Sequence, residues 1–241
     1  MLRVRGLTVA FGSEPILEGI DLDVTPGQFT SLIGPSGSGK TSILRAVTAL
    51  LSPERGTVTL DVPLSDVGFL FQDDALLPWR TVRQNVALGL RIRHVAADLV
   101  AEKTERWLSL LGLDGLGDRY PRQLSGGQRK RVAIAQVLVL QPKLLLMDEP
   151  FASLDAIVRT RITQELLGWV ERDHLTVLLV THDLQEAISM SDVVYVLSQG
   201  PRATIRARHE VAIARPRSVL ATRSVPLFAP MFERLWNELS S

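Results

Sequence analysis

The chain of 241 residues contains no cysteine. Disulfides, thiolate zinc sites, iron–sulfur clusters and a cysteine nucleophile are therefore excluded, and a reducing cytoplasm is compatible with the composition. There is no charge excess either. Lys and Arg number 27 against 26 Asp and Glu, a formal net charge of +1. A dedicated nucleic-acid binder carries a larger basic surplus, so no nucleic-acid partner is expected. Long hydrophobic runs are also missing. The longest, 132–140, is interrupted by Gln136 and closed by Gln141-Pro142, well short of the ~20 apolar residues that cross a bilayer. The first residues reach Gly12 and Ser13 without a signal-type apolar stretch, so no targeting segment is expected. Aromatics are scarce at 5%, yet hydrophobic residues make up 46%. That is enough apolar material for one large domain or two small ones.

Patterning along the chain places the elements. Residues 2–11 and 20–24 alternate with period two, and Gly12-Ser13 and Pro26-Gly27 mark turns. Residues 28–33 read as a short buried strand, 41–51 as a helix ended by Ser52-Pro53, and 56–61 as a further strand. From about 73 to 142 the spacing turns helical, with helices expected at 99–113 and 125–140. Strands at 144–147, 177–180 and 193–197 then alternate with helices at 155–170 and 184–190. Strand–helix alternation predicts an α/β fold with a parallel sheet covered on both faces, interrupted by an inserted helical block. A final helix puts Phe228, Phe232, Leu235 and Leu239 on one face, which is expected to pack into the core.

Three motifs carry chemistry. Gly34-Pro35-Ser36-Gly37-Ser38-Gly39-Lys40-Thr41 matches G-x-x-x-x-G-K-[ST] between a buried strand and a helix. Glycines let backbone N–H groups wrap a triphosphate, and the helix N-terminus adds positive potential. Lys40 would neutralise the β- and γ-oxygens, the Thr41 hydroxyl would ligate Mg²⁺, and Ser42 is placed for a further phosphate contact. The apolar run 144–147 ends in Asp148-Glu149. Alone, such a pair reads as a solvated helix start. At the carboxyl end of a parallel strand, beside Lys40, Asp148 is expected to hold Mg²⁺ and Glu149 to deprotonate the attacking water. Leu124-Ser125-Gly126-Gly127-Gln128 opens a helix, with Ser125 as N-cap and the free N–H groups as a second anion site. Arg129, Lys130 and Arg131 follow, against the usual dipole preference. A bound anion nearby would account for that inversion, and a solvated basic face is the plainer alternative.

Taken in order, GPSGSGKT, Gln72, LSGGQ, LLLMDEP, SLD and His182 resemble the ATPase subunits of ABC transporters over about residues 2–200. The resemblance implies a P-loop NTPase core with a mixed sheet, an N-terminal antiparallel β part and an inserted α-helical subdomain. It divides a single domain into a core at about 1–72 and 142–205, a helical subdomain at about 73–141 and a tail at about 206–241. It implies ATP and Mg²⁺ as cofactors. Phe11 would stack on adenine. Gln72 would contact Mg²⁺ and water, and His182 would sit at the γ-phosphate. Asp155, in Ser153-Leu154-Asp155, would cross a dimer interface. Two copies would face each other head to tail, with Ser125, Gly126, Gly127 and Gln128 of one closing over the ATP held by the other.

The segments LLPW, TVRQNVALGL and MDEPFASLDA are similar to importers of nitrate, sulfonates, taurine and related small molecules. That similarity implies integral membrane permease subunits, an extracytoplasmic substrate-binding protein, and a peripheral position on the cytoplasmic face of the inner membrane. Leu76, Leu77 and Trp79 read equally as a docking surface or as internal packing. Gln136 stands where the family commonly has arginine, and the stretch 61–72 is shorter than usual. The basic tail (Arg202, Arg206, Arg208, Arg215, Arg217) reads as a solvated strand and linker. A non-transport ABC ATPase acting on ribosomes or DNA is the alternative. Those chains carry two ATPase units or a long coiled-coil insertion, and neither is present here.

Overall fold

The structure, a computed structural model, describes residues 1–12, 14–151 and 154–240. The chain opens with β1 (Leu2–Phe11), β2 (Glu14–Val24) and β3 (Phe29–Ile33), then α1 (Lys40–Val47) and β4 (Arg55–Leu60). β5 (Val67–Leu70) precedes a helical stretch of α2 (Val82–Val86), α3 (Leu88–Ile92), α4 (Ala97–Leu110) and α5 (Gly126–Leu138). β6 (Leu144–Asp148), α6 (Ala156–Asp173), β7 (Thr176–Val180), α7 (Leu184–Met190) and β8 (Val193–Leu197) restore the alternation. β9 (Ile205–Glu210) and α8 (Phe228–Ser240) close the chain.

Among the described residues the strands form two sheets. One is antiparallel, in the order β2-β1-β4; the other runs β5-β6-β7-β3-β8-β9. In the second, β5 through β8 pair in parallel and β9 joins the edge antiparallel. Every residue of β3, β6, β7 and β8 is buried, as strands covered on both faces require. The antiparallel sheet alternates instead. Leu2, Val4, Leu7 and Val9 turn inward onto a cluster shared with Ile43 and Leu44 of α1, while Arg3 and Arg5 face water. A second cluster joins the other face of the central sheet to α5 and α6, and extends to α2 and α4.

Three local expectations are corrected. The helix expected over 41–51 stops at Val47, because Ala49 takes a left-handed φ of 57° and Leu50 N–H returns to Arg45 O at 2.9 Å. This is a glycine-type helix stop made without glycine, so the pattern carried no warning. The tail is not solvated throughout. Arg206 and Arg208 alternate outward on β9, but Arg217 is buried and donates to Met190 O at 3.1 Å and Ile213 O at 2.7 Å. It also pairs with Asp192 at 3.1 Å. The third correction concerns the cations that open α5, and it belongs with the site. The apolar face of α8 packs inward as expected, with Leu235 and Phe228 buried and Phe232 and Leu239 partly so.

Candidate functional site

β5, β6, β7 and β3 are neighbours in the sheet. Their carboxyl ends therefore lie side by side, where loops leaving a parallel sheet build a cleft. The chain leaves β3 into the loop 34–39 and enters α1 at Lys40. Gly39 caps this helix at φ 91°, a conformation side chains avoid. A Cβ there would also lie 2.8 Å from Leu17 Cδ2 and 2.9 Å from Ile16 Cγ2, so the position excludes side chains twice over. Lys40 is buried, and its ammonium donates to Gly34 O at 2.8 Å and Pro35 O at 2.7 Å. Burial pushes its pKa down, and the charges of Glu149 and Asp148 oppose that shift.

Asp148 ends β6 and is buried. Desolvation raises its carboxyl pKa, while a hydrogen bond from Thr41 and the charge of Lys40 pull it back. Glu149 follows at φ 44°, a left-handed conformation that costs about 1–2 kcal/mol outside glycine. Its amide still donates to Val180 O of β7 at 2.9 Å. The turn resolves a geometric difficulty. Consecutive strand residues point to opposite faces, yet here both carboxylates reach one cleft. His182 leaves β7 and places Nδ1 3.1 Å from Glu149 Oε2. Its backbone is fixed by Thr181 Oγ1, which accepts from Asp183 N at 3.0 Å, and by Asp183, which caps α7. Gln72 follows β5 and lines the same cleft, which encloses about 460 Å³.

Ser36, Gly37, Gly39, Lys40, Thr41 and Ser42 line this cleft with Gln72, Asp148, Glu149 and His182. Gly34 and Pro35 do not line it, but their carbonyls hold Lys40. Ser38 is buried beneath the loop, with its amide 3.3 Å from Pro35 O. Ser125, Gly126, Gly127 and Gln128 lie elsewhere, at the start of α5. Ser125 Oγ accepts from Gln128 N at 3.2 Å, and Gln128 Oε1 accepts from Ser125 N at 2.9 Å, a reciprocal cap. Asp155 is also outside the cleft and caps α6, accepting from Ile157 and Val158 amides. The side chain of Phe11 and all of Ser153 lie outside the described residues.

The cations that follow Gln128 need no bound anion. Arg129 donates to Asp74 at 3.1 Å and to Leu124 O at 3.0 Å. Lys130 donates to Phe71 O and Gln72 O, and Arg131 to Leu111 O and Gly112 O. Chain carbonyls and one carboxylate explain the inverted charge pattern. Sequence reasoning missed Ile16, which lines the cleft from β2. Its only signal was the strand alternation, which carries no chemistry. Leu76 packs against the core while Trp79 is 70% exposed, so the internal-packing reading holds for Leu76 and not for Trp79.

The loop 34–39 after β3, the acidic end of β6 and His182 after β7 thus stand on neighbouring strands of one sheet. The family described as ABC transporter matches residues 17–152. The chain belongs to the ABC transporter family. Its fold is that of an ABC ATPase cassette: the dimeric structure of the bacterial ABC transporter cassette MJ0796 matches with a TM-score of 0.80 at 29% identity, covering 89% of this chain and all of that one. A post-hydrolysis dimer of the same cassette, bound to ADP and Pi, matches equally well. Among curated relatives, the sulfate/thiosulfate import ATP-binding protein CysA of Synechocystis is 41% identical over 216 residues, 86% of this chain and 61% of the relative. The bicarbonate transport ATP-binding protein CmpC of Synechococcus elongatus is 43% identical over 83% of this chain and 31% of the relative. The nitrate import ATP-binding protein NrtC of the same organism is 39% identical over 92% of this chain and 35% of the relative. This ABC chain thus spans less than two thirds of the length of these relatives. Among the described residues, no helix is long and apolar enough to cross a membrane.

Proposed function

We propose that this chain is the ATP-hydrolysing, energy-coupling subunit of an importer for a small oxyanion. Two copies work head to tail on integral membrane permease subunits. The observation that carries the reading is the convergence of Lys40, Thr41, Gln72, Asp148, Glu149 and His182 in one cleft. Backbone amides of the loop and the N-terminus of α1 take the β- and γ-phosphates, and Lys40 exchanges its two loop carbonyls for phosphate oxygens. Phe11 supplies an aromatic face for the adenine.

Thr41, Asp148 and Gln72 form a hard oxygen donor set, and the Thr41–Asp148 hydrogen bond already draws two of them together. That set fits Mg²⁺, which supplies charge neutralisation across the β- and γ-phosphates when bound. Among the described residues, no group of three or more His, Cys, Asp or Glu could hold a metal ion alone. Glu149 takes the proton of the attacking water, and His182, held against it, contacts the γ-phosphate. The bond from the γ-phosphorus to the bridging oxygen breaks, leaving ADP and phosphate.

Each chain offers Ser125, Gly126, Gly127 and Gln128 to the nucleotide of the other copy, and Asp155 lies at the same interface. ATP binding thus closes the pair and hydrolysis releases it. Relatives that import sulfate, bicarbonate and nitrate support a small oxyanion as cargo. An extracytoplasmic binding protein and the permease subunits select it, with this chain peripheral on the cytoplasmic membrane face.

Glu149→Gln tests the reading. The variant is expected to bind ATP, to lose at least about 100-fold in turnover, and to elute as a dimer with ATP. A mild-detergent pull-down of that variant is expected to recover an integral membrane subunit. A monomeric variant that still hydrolyses ATP would refute the assignment, and recovery of ribosomes instead would refute the transport role.

A further inference from the structure

Lys130 is the most enclosed cation among the described residues, at 1% exposure. A lysine ammonium is strongly hydrated, so burial is costly unless its protons find acceptors. Two are supplied by consecutive carbonyls just beyond β5: Phe71 O at 2.8 Å and Gln72 O at 2.9 Å. Both acceptors belong to the segment that presents the Gln72 side chain to the cleft. Asp74, Asp73 and Asp148 add attractive charge around the ammonium. Asp74 in turn accepts from the neighbouring Arg129 at 3.1 Å. The helix start is therefore fastened to the Gln72 segment by two adjacent cations.

The same helix begins at the LSGGQ segment. Ser125 and Gln128 cap it reciprocally, so its first turn and the turn bearing Lys130 are one rigid piece. Lys130 follows Ser125 by five positions, less than two helical turns. A displacement of the Gln72 backbone is thus transmitted to the LSGGQ segment through a short, hydrogen-bonded strut.

We propose that Lys130 is a positioning residue that fixes the Gln72 backbone at the cleft and ties it to the LSGGQ helix. The inference rests on the ATPase reading given above. Lys130 does not line the cleft, and its acceptors differ from the Gly34 and Pro35 carbonyls that hold Lys40.

The test compares Lys130→Met, which keeps the length and loses the donors, with Lys130→Gln, which keeps one donating group. ATP affinity is measured with a fluorescent ATP analogue, turnover by phosphate release from the purified full chain, and folding by thermal melting. Lys130→Met is expected to bind the analogue within about threefold of wild type, while kcat falls about tenfold or more and the cooperativity of turnover in ATP is lost. Lys130→Gln is expected to recover part of kcat. Wild-type kcat and cooperativity in a folded Lys130→Met chain would overturn the proposal. So would affinity and kcat falling together in a folded Lys130→Gln chain, because that pattern marks a damaged loop rather than a lost strut. Should Lys130→Met not fold, Lys130→Gln carries the test on the same split between affinity and kcat. Glu149→Gln is run alongside. Turnover in wild type that disappears in Glu149→Gln shows the ATPase reading standing, so the Lys130 result then judges the strut alone.

Discussion

Arg217→Ala tests whether the tail is clamped to the core. The guanidinium is buried and donates from Nε and from a terminal nitrogen to Ile213 O, at 2.9 and 2.7 Å. It also donates to Met190 O at 3.1 Å and lies 3.1 Å from Asp192 Oδ1. Hydrogen bonds from a charged donor contribute about 1.5–3 kcal/mol each in isolation, but they are not additive, and the buried cation offsets part of the sum with its desolvation. Removing one partner from such an arrangement costs about 3–5 kcal/mol. Asp192 would still be held by Arg215 and by the Phe29 amide at 2.8 Å, which places the loss toward the lower half of that range. The Ile213 and Met190 carbonyls would be left without this donor. For a chain of this size each kcal/mol lowers the melting temperature by roughly 2–4 °C, so a drop of about 10 °C is expected. Urea unfolding followed by circular dichroism gives the free energy, and a calorimetric scan gives the melting point. Arg202→Lys, at an exposed arginine of the same tail, serves as the control with an expected change under about 0.5 kcal/mol. A loss below about 1 kcal/mol for Arg217→Ala would refute the clamp.

Two further outcomes are expected. Burial, then the charge of Asp183, raise the Glu186 carboxyl to about 7 from 4.5, against a hydrogen bond from Thr181 and the charges of Arg159 and His182. The folded state therefore holds a proton that the unfolded chain has lost, so the stabilising contribution is full below pH 4.5 and is lost as pH rises through about 7. Glu186→Gln removes that dependence, and its stability relative to wild type should grow between pH 5 and 8 by up to about 3 kcal/mol; parallel pH–stability curves would refute this. Gly39→Ala is expected to weaken ATP binding at least tenfold, because its Cβ would press to 2.8 Å of buried Leu17 at a φ of 91°. A titration with a fluorescent ATP analogue checks it, and an unchanged affinity would show that the loop yields.

Legibility in the sequence followed the chemistry of each segment. The loop 34–39 was readable from its own glycine-lysine spacing after a short strand, and the acidic strand end from the uninterrupted apolar run 144–147; both strands, β3 and β6, are fully buried and parallel. The position of His182 was readable for the same reason, through β7. Glu149 required a left-handed turn that no glycine announced, so the sequence pointed to the residue while the means of aiming it stayed hidden. The partners of Arg129, Lys130, Arg131 and Arg217 were illegible for a different reason. Their acceptors are mainly backbone carbonyls, and every residue has one. Composition does not show which carbonyl a cation will meet after a chain reversal.

The central position of β3 has a consequence for the order in which the protein is made. This strand carries the phosphate loop, yet its two ladder partners are β7 and β8, with Phe29 opposite Val177 and Thr30 opposite Val193. During synthesis, residues 29–33 emerge long before either neighbour exists. The strand must wait as an unpaired apolar segment through the making of the entire helical stretch, a delay that slows folding and exposes the chain to aggregation. Nucleotide cannot rescue the nascent chain in that interval, because the acidic residues of the cleft are also still to come. On the proposed function, ATP binding begins as a late event, and its appearance on a growing chain would mark the moment the central sheet closes.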